Sequence, residues 1–167
     1  MSLKPRILFA FVVVVATALA AGPTFAQSGP DEEVETLIKT VKLLEQDPLG
    51  KKSKDLRSKA LMWVIETDKV TVSACSLLVS GLDEKYKYAG DLVTQYTLGM
   101  AAAKLTTPSL DENAIQQAGI DSALISYEAM VKAQPKARNV FMDDLLVKRG
   151  NGSLATYVIE NNCKARK

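Results

Sequence analysis

The chain has 167 residues, of which 47% are apolar and 24% charged, with 21 lysines and arginines, 19 acids, two cysteines and no histidine. This composition is typical of one globular domain, and the near-neutral charge argues against nucleic acid as a partner. The absence of histidine excludes Ser-His-Asp and Cys-His catalysis and imidazole ligation of a metal.

Residues 1–26 have the pattern of a secretory signal peptide. Two basic residues precede an apolar run over residues 7–21, and Gly22-Pro23 breaks any helix before small residues that suit a signal peptidase. The run is shorter than the roughly 20 residues that a membrane-spanning helix needs, so the sequence favours a cleaved signal peptide over an uncleaved membrane anchor. We predict cleavage after Ala26, no membrane anchor after cleavage, and one domain over residues 27–167 in the periplasm or secreted.

Apolar residues recur at helical spacing along the rest of the chain, whereas alternating strand patterns are scarce. We therefore predict an all-α fold, a compact bundle of about six helices. The first four predicted helices cover residues 31–46, 54–67, 73–80 and 85–105. A long fifth helix is capped by Ser109 or Asp111 and runs to Gln134. The sixth ends at Gly150, and Ser153 caps the last. Residues 68–72 are predicted to be an extended linker.

The second predicted helix carries Trp63, which we expect in the core, and begins in a cluster of basic residues. This cluster could contact phosphate or an anionic membrane, but it lacks interleaved aromatic residues, so a solvated helix start is the favoured interpretation. Its members are Lys51, Lys52, Lys54, Arg57 and Lys59.

The fourth predicted helix, residues 85–105, has a thin far half. Gly99 and the alanines at 101–103 are small enough to let a neighbouring helix approach closely. A glycine inside a helix costs about 1 kcal/mol relative to alanine, so its position there needs such a packing reason.

Cys75 and Cys163 are the two cysteines of the chain. Thiols of exported proteins tend to pair in an oxidising compartment, so we expect one disulfide between them, with two free or buried thiols as the alternative. In the chain-entropy model a bond that closes most of the mature chain stabilises it by roughly 4 to 5 kcal/mol. Without a histidine to activate it, Cys75 is not expected to be a nucleophile.

The sequence motifs typical of catalytic and cofactor-binding sites do not indicate such a site in this chain. Residues 150–155 match G-x-G-x-x-A, but the match follows a predicted helix and lies too close to the end for a β-α-β unit, so we interpret it as a turn. The adjacent acids Asp143 and Asp144 point to different sides of a helix and do not form a glycosidase pair. We therefore predict no catalytic, cofactor or metal-binding residue, and no enzyme.

Three tyrosines form a candidate binding face: Tyr88, Tyr96 and Tyr127. Tyr88 and Tyr96 lie eight positions apart, which places them on one side of a helix. A tyrosine offers apolar area together with a hydroxyl, so the face could line a groove for a peptide or small ligand. The alternative is that all three belong to the core.

Residues 94–136 resemble a degenerate tetratricopeptide repeat. Ala123, Tyr127, Met130 and Pro135 follow the spacing of the small, aromatic, small and proline positions of the second repeat helix, and residues 96–99 are similar to the Leu-Gly segment of the first. This resemblance implies a helical hairpin that serves protein interaction.

The C-terminal half also resembles small exported immunity proteins of the Rap1a/Tai type. The residues that carry this resemblance are Gln117, Tyr127, Pro135, Leu145 and Cys163. Proteins of that family neutralise a cognate toxin by binding it, so the resemblance implies a protein partner.

These observations predict an exported soluble helical domain that binds a protein or peptide partner, without a cofactor. One alternative is a carrier that holds a small apolar ligand between helices near Tyr88 and Tyr96. A toxin-neutralising immunity protein is a second alternative, and an enzyme that uses carboxylates or a Ser-Lys pair is a third.

Overall fold

The computed structural model describes residues 30–83 and 85–161. Within these residues the chain forms seven α-helices and no strand, which confirms the predicted all-α class. The predicted signal peptide, residues 1–26, and Cys163 lie outside the described residues, so the cleavage and the disulfide stay predictions.

The helices follow one another with short connections. They are α1 (Pro30–Gln46), α2 (Ser53–Glu66), α3 (Ser76–Gly81), α4 (Ala89–Thr106), α5 (Glu112–Ala133), α6 (Val140–Gly150) and α7 (Leu154–Glu160), with a 3-10 turn, Pro135–Ala137, between α5 and α6. The predicted linker at residues 68–72 is not helical. Hydrophobic spacing therefore predicted the order of the helices, and the seven observed compare with about six expected.

Side-chain caps fix the starts of α5 and α6, and one predicted cap is wrong. Asp111 and Asn139 accept hydrogen bonds from backbone N–H groups in the first turns of α5 and α6, at 2.8 and 3.1 Å. Ser153 precedes α7 but its hydroxyl accepts no such bond, and its backbone is helical, with φ −88° and ψ 0°, instead of the extended conformation that a capping residue usually has. Its hydroxyl donates to Oδ1 of Asn151 at 2.7 Å.

Helix α4 begins at Ala89, later than the predicted residue 85. The backbone N–H of Lys85 donates to Oδ1 of Asp83 at 2.8 Å, and the N–H of Tyr86 donates to the Asp83 carbonyl at 2.8 Å. Aspartate side chains stabilise turns in this way and compete with helix initiation. Turn chemistry therefore delays the helix by about one turn.

The buried residues form two cores that share α4. The larger core joins α3 to α7 and includes Leu92, Tyr96 and Met100 of α4. The smaller core joins α1, α2 and Val70, and includes Leu98 and Ala101 of the same helix. A helix buried on several sides is hydrophobic around its circumference, which explains why α4 has no single apolar stripe.

Helices α4 and α5 form a hairpin that is closely packed at two glycines. A Cβ on Gly119 would lie 2.5 Å from Cγ of Met100 and 2.8 Å from the carbonyl oxygen of Tyr96. A Cβ on Gly99 would lie 2.5 Å from Cβ of Ser122. These distances are shorter than van der Waals contact, so the approach of the two helices requires glycine at both positions.

Arg57 corrects the prediction of a fully solvated basic cluster. Its side chain is buried, with a relative exposure of 5% for the residue, whereas Lys51, Lys52, Lys54 and Lys59 are exposed. Its guanidinium donates to Oδ1 of Asp91 at 3.0 Å and to the carbonyl of Pro48 at 3.2 Å. Arg57 therefore ties α2 to the start of α4 and to the α1–α2 connection.

Candidate functional site

A groove between α1 and α2 is the best candidate site in the described part of the chain. Each helix contributes residues at i, i+3, i+4 and i+7, from Glu33 to Thr40 on α1 and from Leu56 to Trp63 on α2. This spacing places each set on one side of its helix. The groove has a volume of about 330 Å³, and its floor includes the buried Leu37 and Ala60.

A second depression continues the groove past the end of α2. It is lined by Glu66, Asp68 and Lys69, and it shares Glu33 and Trp63 with the first depression. Because the two depressions meet at these residues, we treat them as one site and call it the trough.

Trp63 lies at the centre of the trough. It packs against the smaller core but remains partly exposed, so the predicted core position is confirmed only in part. Its indole Nε1 donates to Oε2 of Glu33 at 3.4 Å. The indole therefore presents a fixed apolar surface, and tryptophan in such a position is a common anchor for binding.

Acids dominate the rim of the trough. Glu32, Glu33, Glu66 and Asp68 line it, against the two cations Lys59 and Lys69. Of these acids, only Glu33 forms an ion pair within the described residues, with Nζ of Lys69 at 3.0 Å. The rim therefore has an excess of negative charge.

The charge of Glu33 is held in place by its neighbours. The hydrogen bond from Lys69 lowers the pKa of Glu33, and the bond from the Trp63 indole lowers it further. Glu33 therefore stays ionised well below neutral pH and keeps Trp63 oriented across the trough.

The three tyrosines of the predicted binding face belong to the larger core. Their relative exposures are 7% for Tyr88, 1% for Tyr96 and 0% for Tyr127. Each hydroxyl donates to another side chain of the protein: Tyr88 to Gln134, Tyr96 to Gln116 and Tyr127 to Asp143. The structure thus gives them the core position that was the alternative interpretation, and none of them lines the trough.

Burial perturbs the ionisation of these hydroxyls. It raises the pKa of Tyr96 and of Tyr127 to about 12, and it also raises the pKa of Tyr86, whose hydroxyl donates to the carbonyl of Ala137 at 2.6 Å. The unfolded chain releases these protons near pH 10, whereas the folded chain keeps them.

We expect the stability of the protein to fall as the pH rises from about 10 to about 12, because the folded state binds more protons than the unfolded state in that window. Thermal unfolding midpoints measured at intervals through the window would follow the loss. Tyr96→Phe should flatten the profile, since phenylalanine has no proton to release. An unchanged midpoint throughout the window would contradict the burial of these hydroxyls.

Cys75 precedes α3 and is half-buried against the larger core. Its Sγ accepts a hydrogen bond from the N–H of Leu77 at 3.4 Å, and its own N–H donates to the hydroxyl of Tyr96 at 3.0 Å. The predicted partner, Cys163, lies outside the described residues.

Within the segment that matches G-x-G-x-x-A, residues 150–155, residues 151–153 form a turn between the end of α6 and the start of α7. Gly152 has a φ of 78°, a left-handed conformation that favours glycine. Oδ1 of Asn151 accepts from the N–H of Ser153 at 3.0 Å, which closes an Asx turn. The segment thus has the turn structure that we predicted.

The described ranges, 30–83 and 85–161, contain no group of three or more histidine, cysteine, aspartate or glutamate side chains that could hold a metal ion. None of the helices in these ranges combines the length and the hydropathy that a membrane span needs.

The trough was not evident from the sequence, which predicts Trp63 as a core residue. The signal that could have found the trough is the recurrence of polar residues within the stripes that face each other, such as Thr36 and Thr40 on α1 and Lys59 on α2. A stripe that mixes polar and apolar residues indicates a helix face that is only partly covered.

No protein-family model, curated protein or solved structure matches this chain. Its function is therefore inferred from its own residues.

Proposed function

We propose that the protein is an exported binding domain whose trough holds a basic peptide segment of a protein partner. The observation that carries this proposal is the partly exposed Trp63 between an apolar floor and an acidic rim. The partner segment would place an apolar side chain on the indole and a lysine or arginine against the rim.

The chemistry of the trough favours such a segment over a purely apolar ligand. Apolar contact with Trp63, Leu37 and Ala60 would supply most of the affinity, because binding energy concentrates at buried aromatic anchors. The acids Glu66 and Asp68 would attract a cation and repel an anionic segment. A basic residue over the indole face would add a cation–π contact.

The shape of the trough suits an extended or helical peptide. Its two depressions, about 330 and about 460 Å³, follow one another along α2, so adjacent side chains of one segment could occupy both. Peptide grooves in proteins often take alternate or i, i+3 and i+4 anchors in this way.

The first experiment selects peptides from a random library on the purified mature protein and then titrates the selected peptides against the fluorescence of Trp63. Trp63 is the only tryptophan of the chain, so any change in its emission reports the trough itself. We expect selected peptides to combine basic and apolar residues and to change the emission on binding. Selected peptides that bind without affecting Trp63 would place the binding surface elsewhere and contradict the proposal.

Reversing one rim charge should weaken binding of a basic peptide about fivefold, and more at low salt, because one favourable charge contact becomes repulsive. The substitution is Glu66→Lys. Glu160→Lys is its matched control, because both glutamates are the last residues of their helices and a cation there interacts equally with the helix dipole. Equal affinities of the two variants would show that the rim charge does not contribute.

A further inference from the structure

A second groove lies where α1, α4 and α5 meet, on another side of α1 from the trough. The three helices each contribute four residues at i, i+3, i+4 and i+7, beginning with Ile38, Gly99 and Ala118. The small residues of α4, including Ala102 and Ala103, leave a volume of about 410 Å³. We call this site the three-helix groove.

Carboxylates interrupt the apolar lining of the three-helix groove. Glu45 on α1 and Asp121 on α5 line it together with one cation, Lys42, which is exposed. The remaining surface is largely aliphatic, with Val41 buried at the floor and Ile125 partly exposed at the mouth.

A buried polar chain connects the groove to the interior. The hydroxyl of Ser122 donates to Oε1 of Glu45 at 2.6 Å and accepts from Nε2 of Gln95 at 2.9 Å. Gln95 is completely buried, and its Oε1 accepts no hydrogen bond from the described residues. Oε1 of Gln95 is therefore a buried hydrogen-bond acceptor without a donor, which lowers the free energy of unfolding.

Asp121, which lines the groove, has a second such acceptor. Its Oδ1 is buried and has no hydrogen-bond partner within ranges 30–83 and 85–161. Burial raises the pKa of Asp121, and Arg149 lowers it only in part. The guanidinium of Arg149 is held by Glu128, at 2.6 Å from Oε2. No cation of the described chain pairs with Asp121.

We propose that the three-helix groove binds an organic amine with a short apolar body, its ammonium group donating to Asp121. The two partnerless atoms described above, Oε1 of Gln95 and Oδ1 of Asp121, are both acceptors, so the group that would satisfy them is a donor. Two carboxylates against one exposed lysine make that donor a cation, and the aliphatic lining requires an apolar body. The mostly aliphatic walls would not hydrate or ligate a bare metal ion.

The test is calorimetric titration of the mature protein with hexylamine, with hexanol and hexanoate as neutral and anionic probes of similar size. We expect hexylamine to bind at least about tenfold more tightly than hexanol, and hexanoate not to bind. Asp121→Asn should weaken hexylamine binding at least about tenfold. Asp68→Asn, which removes a carboxylate from the trough instead, should leave it unchanged.

Thermal stability separates a ligand-binding role of Asp121 from a structural one. Asp121→Asn should leave the unfolding midpoint of the free protein unchanged or raise it, because it removes a buried carboxylate without a partner. Hexylamine should raise the midpoint of the native protein and not that of the variant. Glu45→Gln provides a second variant, which should weaken binding less because Glu45 already accepts from Ser122.

Several results would overturn this proposal. Hexanol binding as tightly as hexylamine would show that the charge is irrelevant, and a loss of binding in Asp68→Asn would place the amine in the trough. A lower unfolding midpoint for Asp121→Asn would show that the carboxylate stabilises the fold. Tighter binding of a lysine-containing peptide in the three-helix groove would make the occupant a protein.

Discussion

Replacing Gly119 with alanine should lower the free energy of unfolding by about 3 kcal/mol, because the added methyl group has no space between α4 and α5. It would lie 2.8 Å from the backbone oxygen of Tyr96 and 2.7 Å from Cδ2 of the same residue. A flexible side chain such as Met100 can move, but the backbone of α4 can yield only if the two helices separate. Their separation would disturb both cores, since α4 belongs to each.

Gly90→Ala is the matched control for this substitution. Gly90 also lies in α4, but no atom stands within 4 Å of the position that its Cβ would take. Alanine should therefore stabilise the protein there by about 0.5 to 1 kcal/mol, through its better helix propensity and a less flexible unfolded chain. Urea denaturation of the three proteins measures both changes. A Gly119→Ala variant as stable as the native protein would contradict the close packing of α4 on α5.

Loss of the predicted bond between Cys75 and Cys163 should lower the free energy of unfolding by about 4 kcal/mol, because the bond closes a loop of most of the mature chain. Serine is the appropriate replacement at Cys75. The Sγ of Cys75 accepts from the N–H of Leu77, and a serine hydroxyl can accept the same bond and cap α3. Cys75→Ser therefore removes the covalent link with little damage to the local structure.

A double-mutant cycle tests the bond between Cys75 and Cys163. If the two thiols form one bond, Cys75→Ser, Cys163→Ser and the double variant should all lose the same stability, since either substitution alone already breaks the bond. The intact mass of the unreduced exported protein checks the bond directly, because a disulfide removes two hydrogen atoms, and it also shows whether the mature chain begins at Gln27. Additive losses, or two thiols that an alkylating reagent modifies without reduction, would contradict the bond.

The parts of the fold that the sequence predicted are those governed by neighbours along the chain. The span of α1 and the cap at Asp111 are local, and both agree with the structure. Arg57 depends on Asp91, which is 34 positions away, so a run of basic residues could not distinguish a buried arginine from its solvated neighbours. Burial of such a group is a tertiary property.

The candidate site was less predictable than the fold for the same reason. The trough exists because α1 and α2 are not closely packed over Trp63, and the separation of two helices is not encoded in the periodicity of either. The sequence pointed to the tyrosines as a binding face rather than to Trp63, yet all three tyrosines are buried, and the hydroxyl of Tyr96 donates to the buried Gln116. The residue type shows that each side chain carries a hydroxyl group, but not whether that hydroxyl faces a ligand or the interior.

The sharing of α4 between two cores of unequal size sets the order in which parts of the molecule can open. Detaching α1 and α2 opens the smaller core and breaks the contacts of α1 with α5, such as the hydrogen bond from Ser126 to the Leu44 carbonyl, but leaves the larger core in place, whereas detaching α5 takes the larger core apart. Local opening therefore costs least in the unit that carries the trough. A partner that binds at Trp63 would stabilise the packing of α1 and α2 on α4. Amide hydrogen exchange in α1 and α2 would then slow, while exchange in the rest of the molecule would be unchanged.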